Sequence, residues 1–301
     1  MRIYIQFHPA HAGKWIYNGY AHAWLYHGFE IKFIKSLNEI NENEPYHLMI
    51  TDSIVCEDNV KFLEKSIKTI LYVSPNSYPK PWGDHPNWKC PLNENLINKI
   101  NQLQNIIKWN FSDIKSEFFS IWKNVITLPL AFDNINYSSS IKDKYEYDVC
   151  YIGGLANNGF NEKIKIMQDT LTPFLDAKLK CAFFIGQNLS HEQENYILNN
   201  SKIALNIHDE YQRVNQLDCN ERTFKGLGAN GFLVSDKIEQ LNRLFPNVFT
   251  SNNPQELVNY CLEFLVKDTN HINEEKLKNQ KMIESSHTYI KRVEYLLKYE
   301  N

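Results

Sequence analysis

No Cys-x-x-Cys pair occurs anywhere in the chain: Cys56, Cys90, Cys150, Cys181, Cys219 and Cys261 are scattered through its 301 residues. That leaves metal-ribbon and dithiol redox motifs without support. Cys150 and Cys181 sit inside apolar runs and read as small buried hydrophobes. No stretch approaches the ~20 consecutive apolar residues of a membrane span. The opening MRIYIQFHPAHAGKW has no charged start followed by a long apolar run, so no secretory signal is read there. An excess of positive charge is missing too. The formal net charge is −3, whereas a general nucleic-acid binder carries a basic patch or stripe. Internal repeats and low-complexity tracts are absent. The expectation from these absences is a cytoplasmic protein, at most peripherally associated with a membrane, with no nucleic-acid partner.

What is present is ample core, with 43% hydrophobic and 22% charged residues. At about 100–200 residues per domain, the length favours two domains. RIYIQF, EIKFIKS, HLMITDS, KTILYVSP and VITLPLAF read as strands. Between them NGYAHAWLYHGF, stopped near Gly28, CEDNVKFLEKS and NENLINKINQLQ read as helices. The polar, Ser-rich DNINYSSSIKDKYEY breaks the pattern as a linker would. Alternation then resumes with the strands DVCYIGG, KCAFFIGQ, KIALNIH and NVFTS and the helices GFNEKIKIMQDTL, HEQENYILNN and NPQELVNYCLEFLV. Such alternation predicts βαβ units and mostly parallel sheets, in two α/β domains in series with a cleft between them.

Ligands of doubly wound sheets bind beyond the carboxyl ends of the strands. In the second half these ends are GGLANNG (153–159), His208-Asp209 and NERTFKGLGANGFLVSD (220–236). A glycine-rich loop after a strand lets amides approach phosphate oxygens, although an ordinary tight turn has the same composition. Asp218 and Glu221 fit a capping box. Arg222 and Lys225, three apart, share a face at the start of a helix. Cations there oppose the helix dipole, so a compensating anion is expected: Glu221, solvent or a bound diphosphate. Gly226, Gly228, Ala229 and Gly231 let this helix pack close to the sheet and end before FLVSD.

The run LNIHDE…NERTFKGLGANGFLVSD…LFPNVFTSNNPQELVNYCLEFL…SSHTYIKRVEYLL resembles the group 1 glycosyltransferases, in particular the CgeB-like (spore maturation protein-like) branch. That branch typically reads R-[TV]-F-E-A-L-A-C-G-G-F-L-[LV]-[ST]-D and closes on H-T-Y-x-x-R. The resemblance covers most of residues 145–297 and continues more loosely upstream. It implies the GT-B fold, with two Rossmann-like domains facing across a cleft. The first is 1–132, to which the terminal segment 287–301 returns, and the second is 145–286. The nucleotide-sugar donor would lie on the second domain, at Gly153, Gly154, Asn206, His208, Glu221, Arg222, Thr223 and Lys225. The acceptor would lie on the first, where His8 or His11 after the opening strand suits a general base or a hydroxyl contact. Asp52 is a further candidate there, with a helix cap as its alternative. The spacing of His8 and His11 is not the helical i, i+4 of a zinc motif, and no metal or cofactor is implied. Aromatics in PNSYPKPWGDHPNWKCP (75–91) would stack on sugar or anchor their loop.

The resemblance thus implies metal-independent transfer of a sugar from a nucleotide sugar to a glycan, another surface polymer or a lipid-linked acceptor. Two departures stand beside it. The family's Glu in F-E-A is Lys225 here, and GGLANNG lacks the Arg that many relatives carry. Two alternatives therefore stay open: a catalytically inactive binding protein of the same fold, and a GT-B nucleotide-sugar epimerase.

Overall fold

The structure is a computed structural model that describes residues 1–9, 11–73, 92–113, 121–155 and 162–299, with the side chain of His11 also outside the described set. The aromatic loop 75–91 and positions 156–159 of the glycine loop fall outside the described residues. The chain divides into two compact units, Met1–Pro129 with Tyr289–Asn301, and Leu130–Thr288.

Unit 1 runs β1 (Arg2–Gln6), α1 (His11–Tyr26), β2 (Glu30–Ile34), β3 (Tyr46–Thr51), α2 (Lys61–Lys65), β4 (Lys68–Tyr72), α3 (Glu94–Gln102), β5 (Ile106–Asn110) and β6 (Val125–Thr127). Its six strands are parallel, in the order β2-β1-β3-β4-β5-β6. Every residue of β3 and β5 is buried, as expected where both faces of a parallel sheet are covered. Direction of strand addition reverses between β1 and β3. The carboxyl ends of these two strands therefore flank the switch point, where doubly wound sheets take ligands.

Unit 2 follows with β7 (Tyr147–Gly153), α4 (Lys163–Asp176), β8 (Cys181–Ile185), α5 (His191–Asn199), β9 (Ser201–Asn206), α6 (Glu210–Asn215) and α7 (Glu221–Lys225). It closes with β10 (Leu233–Ser235), α8 (Glu239–Leu244), β11 (Phe249–Thr250), α9 (Pro254–Leu265) and α10 (Thr269–Ser286). Five parallel strands lie in the order β11-β10-β9-β7-β8. The switch point here falls between β7 and β9. Val149, Phe174, Ile203, Val234 and Cys261 are among the residues of the core that holds the sheet against its helices.

The last helix, α11 (Tyr289–Lys298), belongs to unit 1. It seats against α1 at Gly19, where an added Cβ would collide with the Tyr289 ring. Lys68 donates to the carbonyls of Leu296 and Tyr299 at 3.1 and 3.0 Å, placing a cation at the negative end of the helix. Arg292 Nε donates to the Pro129 carbonyl at 2.8 Å.

The structure corrects two local expectations. Residues 133–147 are no bare linker: Tyr137 and Tyr145 are buried in unit 2, their hydroxyls donating to Glu194 at 2.5 Å and Asn273 at 2.6 Å. The segment is polar because an irregular backbone must find side-chain partners; Asp133 accepts from the amides of Ile135 and Asn136. Nor do Asp218 and Glu221 form a capping box on α7. Asn220 caps α7 through the Thr223 amide, and Asp218 accepts from Gln212 instead. The helix α6, which brings Gln212 to Asp218, was not legible in the sequence.

Candidate functional site

At the switch point of unit 2, β9 ends in Asn206 and the chain passes through Ile207 to His208, all fully buried. Asn206 Nδ2 donates to Thr223 Oγ1 at 3.0 Å and to Ser235 Oγ at 3.3 Å. His208 donates its amide and Nδ1 to Asp236, the ring contact being 2.6 Å. Burial pushes the Asp236 pKa up, but His208 and Arg213 outweigh it and leave the carboxyl below its ordinary value. Both side chains are thereby locked at the ends of β9 and β10. Their bonds to one another are what allow polar groups to sit at zero exposure.

Arg222, on the first turn of α7, leans across this frame. Its Nε donates to Asn206 Oδ1 at 3.4 Å, an Nη donates to the Ile207 carbonyl at 2.7 Å, and the guanidinium stands 5.9 Å from the centre of the Tyr151 ring. Lys163, the first residue of α4, reaches the same carbonyl at 3.5 Å and pairs with Asp209 at 2.5 Å. Burial is the main cause that lowers the Lys163 pKa, with Arg222 adding to it and Asp209 opposing. Two cations from different helix starts thus converge on one backbone carbonyl. With Arg213, 3.7 Å from Asp236, this group carries three cationic side chains against the carboxylates Asp209 and Asp236. Glu221 acts on Arg222 as well, so the carboxylates match the cations in number.

Gly153 ends β7 beside them. A Cβ there would run into the Tyr151 hydroxyl, so the close approach of that side chain favours glycine. The Tyr151 hydroxyl is itself buried and has no hydrogen-bond partner among the described residues. Gly154 is exposed, immediately beyond the strand.

Lys225 does not join this group. Its ammonium lies 2.7 Å from Glu194 and 2.9 Å from Glu221, with the Tyr137 ring 5.0 Å away. Burial works against the charge, yet the two carboxylates outweigh it and raise the pKa. Glu221 is accordingly a partner of Lys225 rather than of a helix cap.

In unit 1, His8 follows β1 and Asp52 follows β3, on either side of the switch point. Gln6 joins the two strand ends by accepting from the Thr51 amide and hydroxyl at 2.8 and 2.9 Å. The His8 ring stacks on Tyr17 at 4.2 Å, and burial lowers its pKa. Gly13 faces it so closely that a Cβ would stand 3.1 Å from Nδ1. Asp52 is fully buried at the start of a single 3-10 turn. His11 opens α1, and its side chain lies outside the described residues.

Sequence reasoning named Asp209 only with His208 as a strand end, and it did not single out Lys163, Asp236 or Tyr151. Lys163 had a usable signal, since a lysine on the first turn after a glycine loop opposes the helix dipole as Arg222 does. Tyr151 had none, because an inward strand tyrosine reads as core.

Residues 151–298 match the family model described as glycosyl transferase-like. No curated protein matches the chain significantly. Among solved structures, it is similar to an alpha-glucosyltransferase in complex with UDP and a 13-mer DNA containing a HMU base, with TM-score 0.57 and 12% identity over 96% of each chain. Similar too is an alpha-glucosyltransferase in complex with UDP-glucose and DNA containing an abasic site, with TM-score 0.57 and 12% identity over 99% of each chain. A mutant of S. aureus TarM solved with Fondaparinux, alpha-GlcNAc-glycerol and UDP gives TM-score 0.50 and 10% identity, over 84% of this chain and 54% of that one. At such identities the likeness is one of fold: an α/β fold with two parallel-sheet Rossmann-like units, matching GT-B glycosyltransferase structures.

Proposed function

We propose that this protein is a glycosyltransferase that moves a sugar from a nucleotide-sugar donor to a glycan or other surface-polymer or lipid-linked acceptor. The observation that carries the reading is the convergence of Arg222 and Lys163 on the Ile207 carbonyl at the switch point of unit 2, inside the segment that matches the glycosyl transferase-like family. Breaking the bond from sugar to phosphate leaves developing negative charge on a diphosphate. Fixed cations and amides stabilise such charge without reorganising. Arg222 and Lys163 supply the cations, and Gly153 and Gly154, at the end of β7, would supply amides. Asn206, Thr223, His208 and Asp236 hold that frame rigid. Lys225, with Glu221, acts on the donor side by bracing α7.

Transfer without a divalent metal belongs to the same proposal, because the two side-chain cations stand where a metal's charge would otherwise be needed. On the acceptor side, a neutral His8 suits removal of a hydroxyl proton, with Asp52 on the neighbouring strand end. A net charge of −3 favours a glycan over DNA as acceptor.

Calorimetric titration with UDP, GDP, CMP and dTDP sugars tests the donor half. One of them should bind, and Arg222→Ala should weaken it by roughly ten- to a hundred-fold, the worth of a lost charge-assisted contact. Absence of binding by the whole panel would refute the reading. Turnover that EDTA abolishes and Mn²⁺ restores would remove the metal-independent part. Product analysis with donor alone, donor with glycans and donor with duplex DNA distinguishes a transferase from an epimerase and from an inactive binder.

A further inference from the structure

Unit 2 holds a cavity of about 220 Å³ away from the strand ends that carry Asn206 and Arg222. Phe232 and Leu233 line it where β10 begins, and Asn247 and Val248 line it just before β11. The strands are parallel, so the cavity lies at their amino ends, whereas Asn206 and Ser235 stand at their carboxyl ends. Its other walls are Tyr260 and Phe264 of α9, Lys267 between α9 and α10, and Glu275 and Asn279 of α10.

These walls divide by chemistry. Phe232 stacks on Phe264 with ring centres 3.6 Å apart, and the Tyr260 ring runs parallel to Phe232 within 8°. One side of the cavity is therefore aromatic. The polar side carries two opposite charges that do not pair with each other. The half-buried Glu275 carboxylate makes no hydrogen bond or ion pair among the described residues, although it is near enough to act on the Tyr260 phenol. The Lys267 ammonium is 3.0 Å from His271 Nε2 and 5.5 Å from the centre of the Phe264 ring, with no carboxylate partner among the described residues. Asn279 donates its side-chain amide to the Gly231 carbonyl at 2.9 Å.

Each feature restricts what can enter. The volume is below the ~300–1,000 Å³ of pockets for drug-sized ligands, which leaves an occupant about the size of one amino acid or one sugar ring. An occupant with a single charge would meet one like charge in the same cavity. A neutral ring of hydroxyls can bond to both charges but neutralises neither. A ligand with one cation, one anion and an apolar body answers all three walls. Charge-assisted bonds to it are about twice as strong as neutral ones, and the aromatic wall takes its apolar part.

We propose that this cavity binds a free α-amino acid with an apolar or aromatic side chain. Glu275 takes its ammonium, Lys267 its carboxylate, and Phe232, Tyr260 and Phe264 its side chain. This is a second site of unit 2, and it does not depend on the glycosyltransferase reading.

NMR titration of the full chain with L-phenylalanine, phenylacetate, phenethylamine and methyl glucopyranoside tests the assignment. L-phenylalanine should bind, and phenylacetate and phenethylamine, each lacking one charge, should bind at least about tenfold more weakly. Glu275→Gln should weaken L-phenylalanine about tenfold and leave phenylacetate at its parent affinity. Lys267→Met should weaken L-phenylalanine likewise and leave phenethylamine unchanged. Both variants should keep the parent's Tm, because neither side chain is fully buried, and both should bind nucleotide as the parent does. L-phenylalanine that binds no better than its singly charged analogues, or binds parent and variants alike, overturns the proposal. Binding of the glucoside in its place would make the cavity a sugar site and overturn the amino-acid assignment. Failure of all four probes to bind overturns it too, and leaves the nucleotide-binding reading standing.

Discussion

Lys276 of α10 is fully buried, and among the described residues its ammonium meets the carbonyls of Ser201 and Lys202 and the face of the Tyr145 ring. Burial pushes its pKa down to about 7, with the nearby Cys150 thiol opposing slightly. The unfolded chain therefore holds a proton here between pH 7 and 10.5 that the folded chain has released. Stability should rise with pH across that window and fall as pH drops towards 7. Urea denaturation from pH 6.5 to 10 should show the slope in the parent, and Lys276→Met should flatten it; an identical slope in both would refute the assignment. Lys225 is the opposite case, a buried cation with two carboxylates, so its charge persists. Removing one partner of such a group costs about 3–5 kcal/mol. Lys225→Met is expected to lose stability on that scale in urea denaturation and, because Lys225 braces α7, to weaken nucleotide binding less than Arg222→Ala does. Sequence made Lys225 conspicuous as a departure from its relatives. It could not show Glu194, thirty-one positions away, closing on it.

At the scale of elements, α7 and the turn of π-helix after it, Gly226–Asn230, show how small residues position a functional arginine. Gly231 ends the turn at φ +89°, and a Cβ there would stand 2.6 Å from the Lys276 carbonyl oxygen. Gly228 packs on the Phe132 ring and Gly226 on Leu233. Gly231→Ala combines positive φ with a backbone clash, and each alone costs about 1–3 kcal/mol. It should lower Tm and, by shifting α7, weaken nucleotide binding; an unchanged Tm would show that α10 can yield. Close packing of this helix was legible from the run of glycines, because few other residues permit it. Its cap was misread, since Asp218 and Asn220 both fit the sequence pattern. Only the chain path through α6 decides that Asn220 reaches the Thr223 amide.

Across the whole molecule, α11 completes unit 1 although it follows the entire second unit in sequence. A chain ending at residue 288 loses the Tyr289 ring over Gly19 and the Arg292 bond to Pro129. Its calorimetric trace should keep the transition of unit 2 and lose that of unit 1, with proteolysis confined to residues before 130. A trace like the parent's would show α11 to be dispensable. The sequence by itself determined the α/β class and the two parallel sheets, because alternation of strand and helix leaves few other packings. It also put Asn206 and His208 at one strand end and Arg222 at the start of a helix, since those follow from chain order. Tertiary structure alone decided which charges meet. Lys163 and Arg222 share the Ile207 carbonyl, Asp236 takes His208, and Glu194 takes Lys225, all through contacts between elements distant in the chain. It alone decided, too, that the hydroxyls of Tyr17 and Tyr20 and the indole N–H of Trp109 are buried without a partner among the described residues. Periodicity records that a side chain points inward, but whether a polar tip finds a partner there depends on neighbours that only packing supplies.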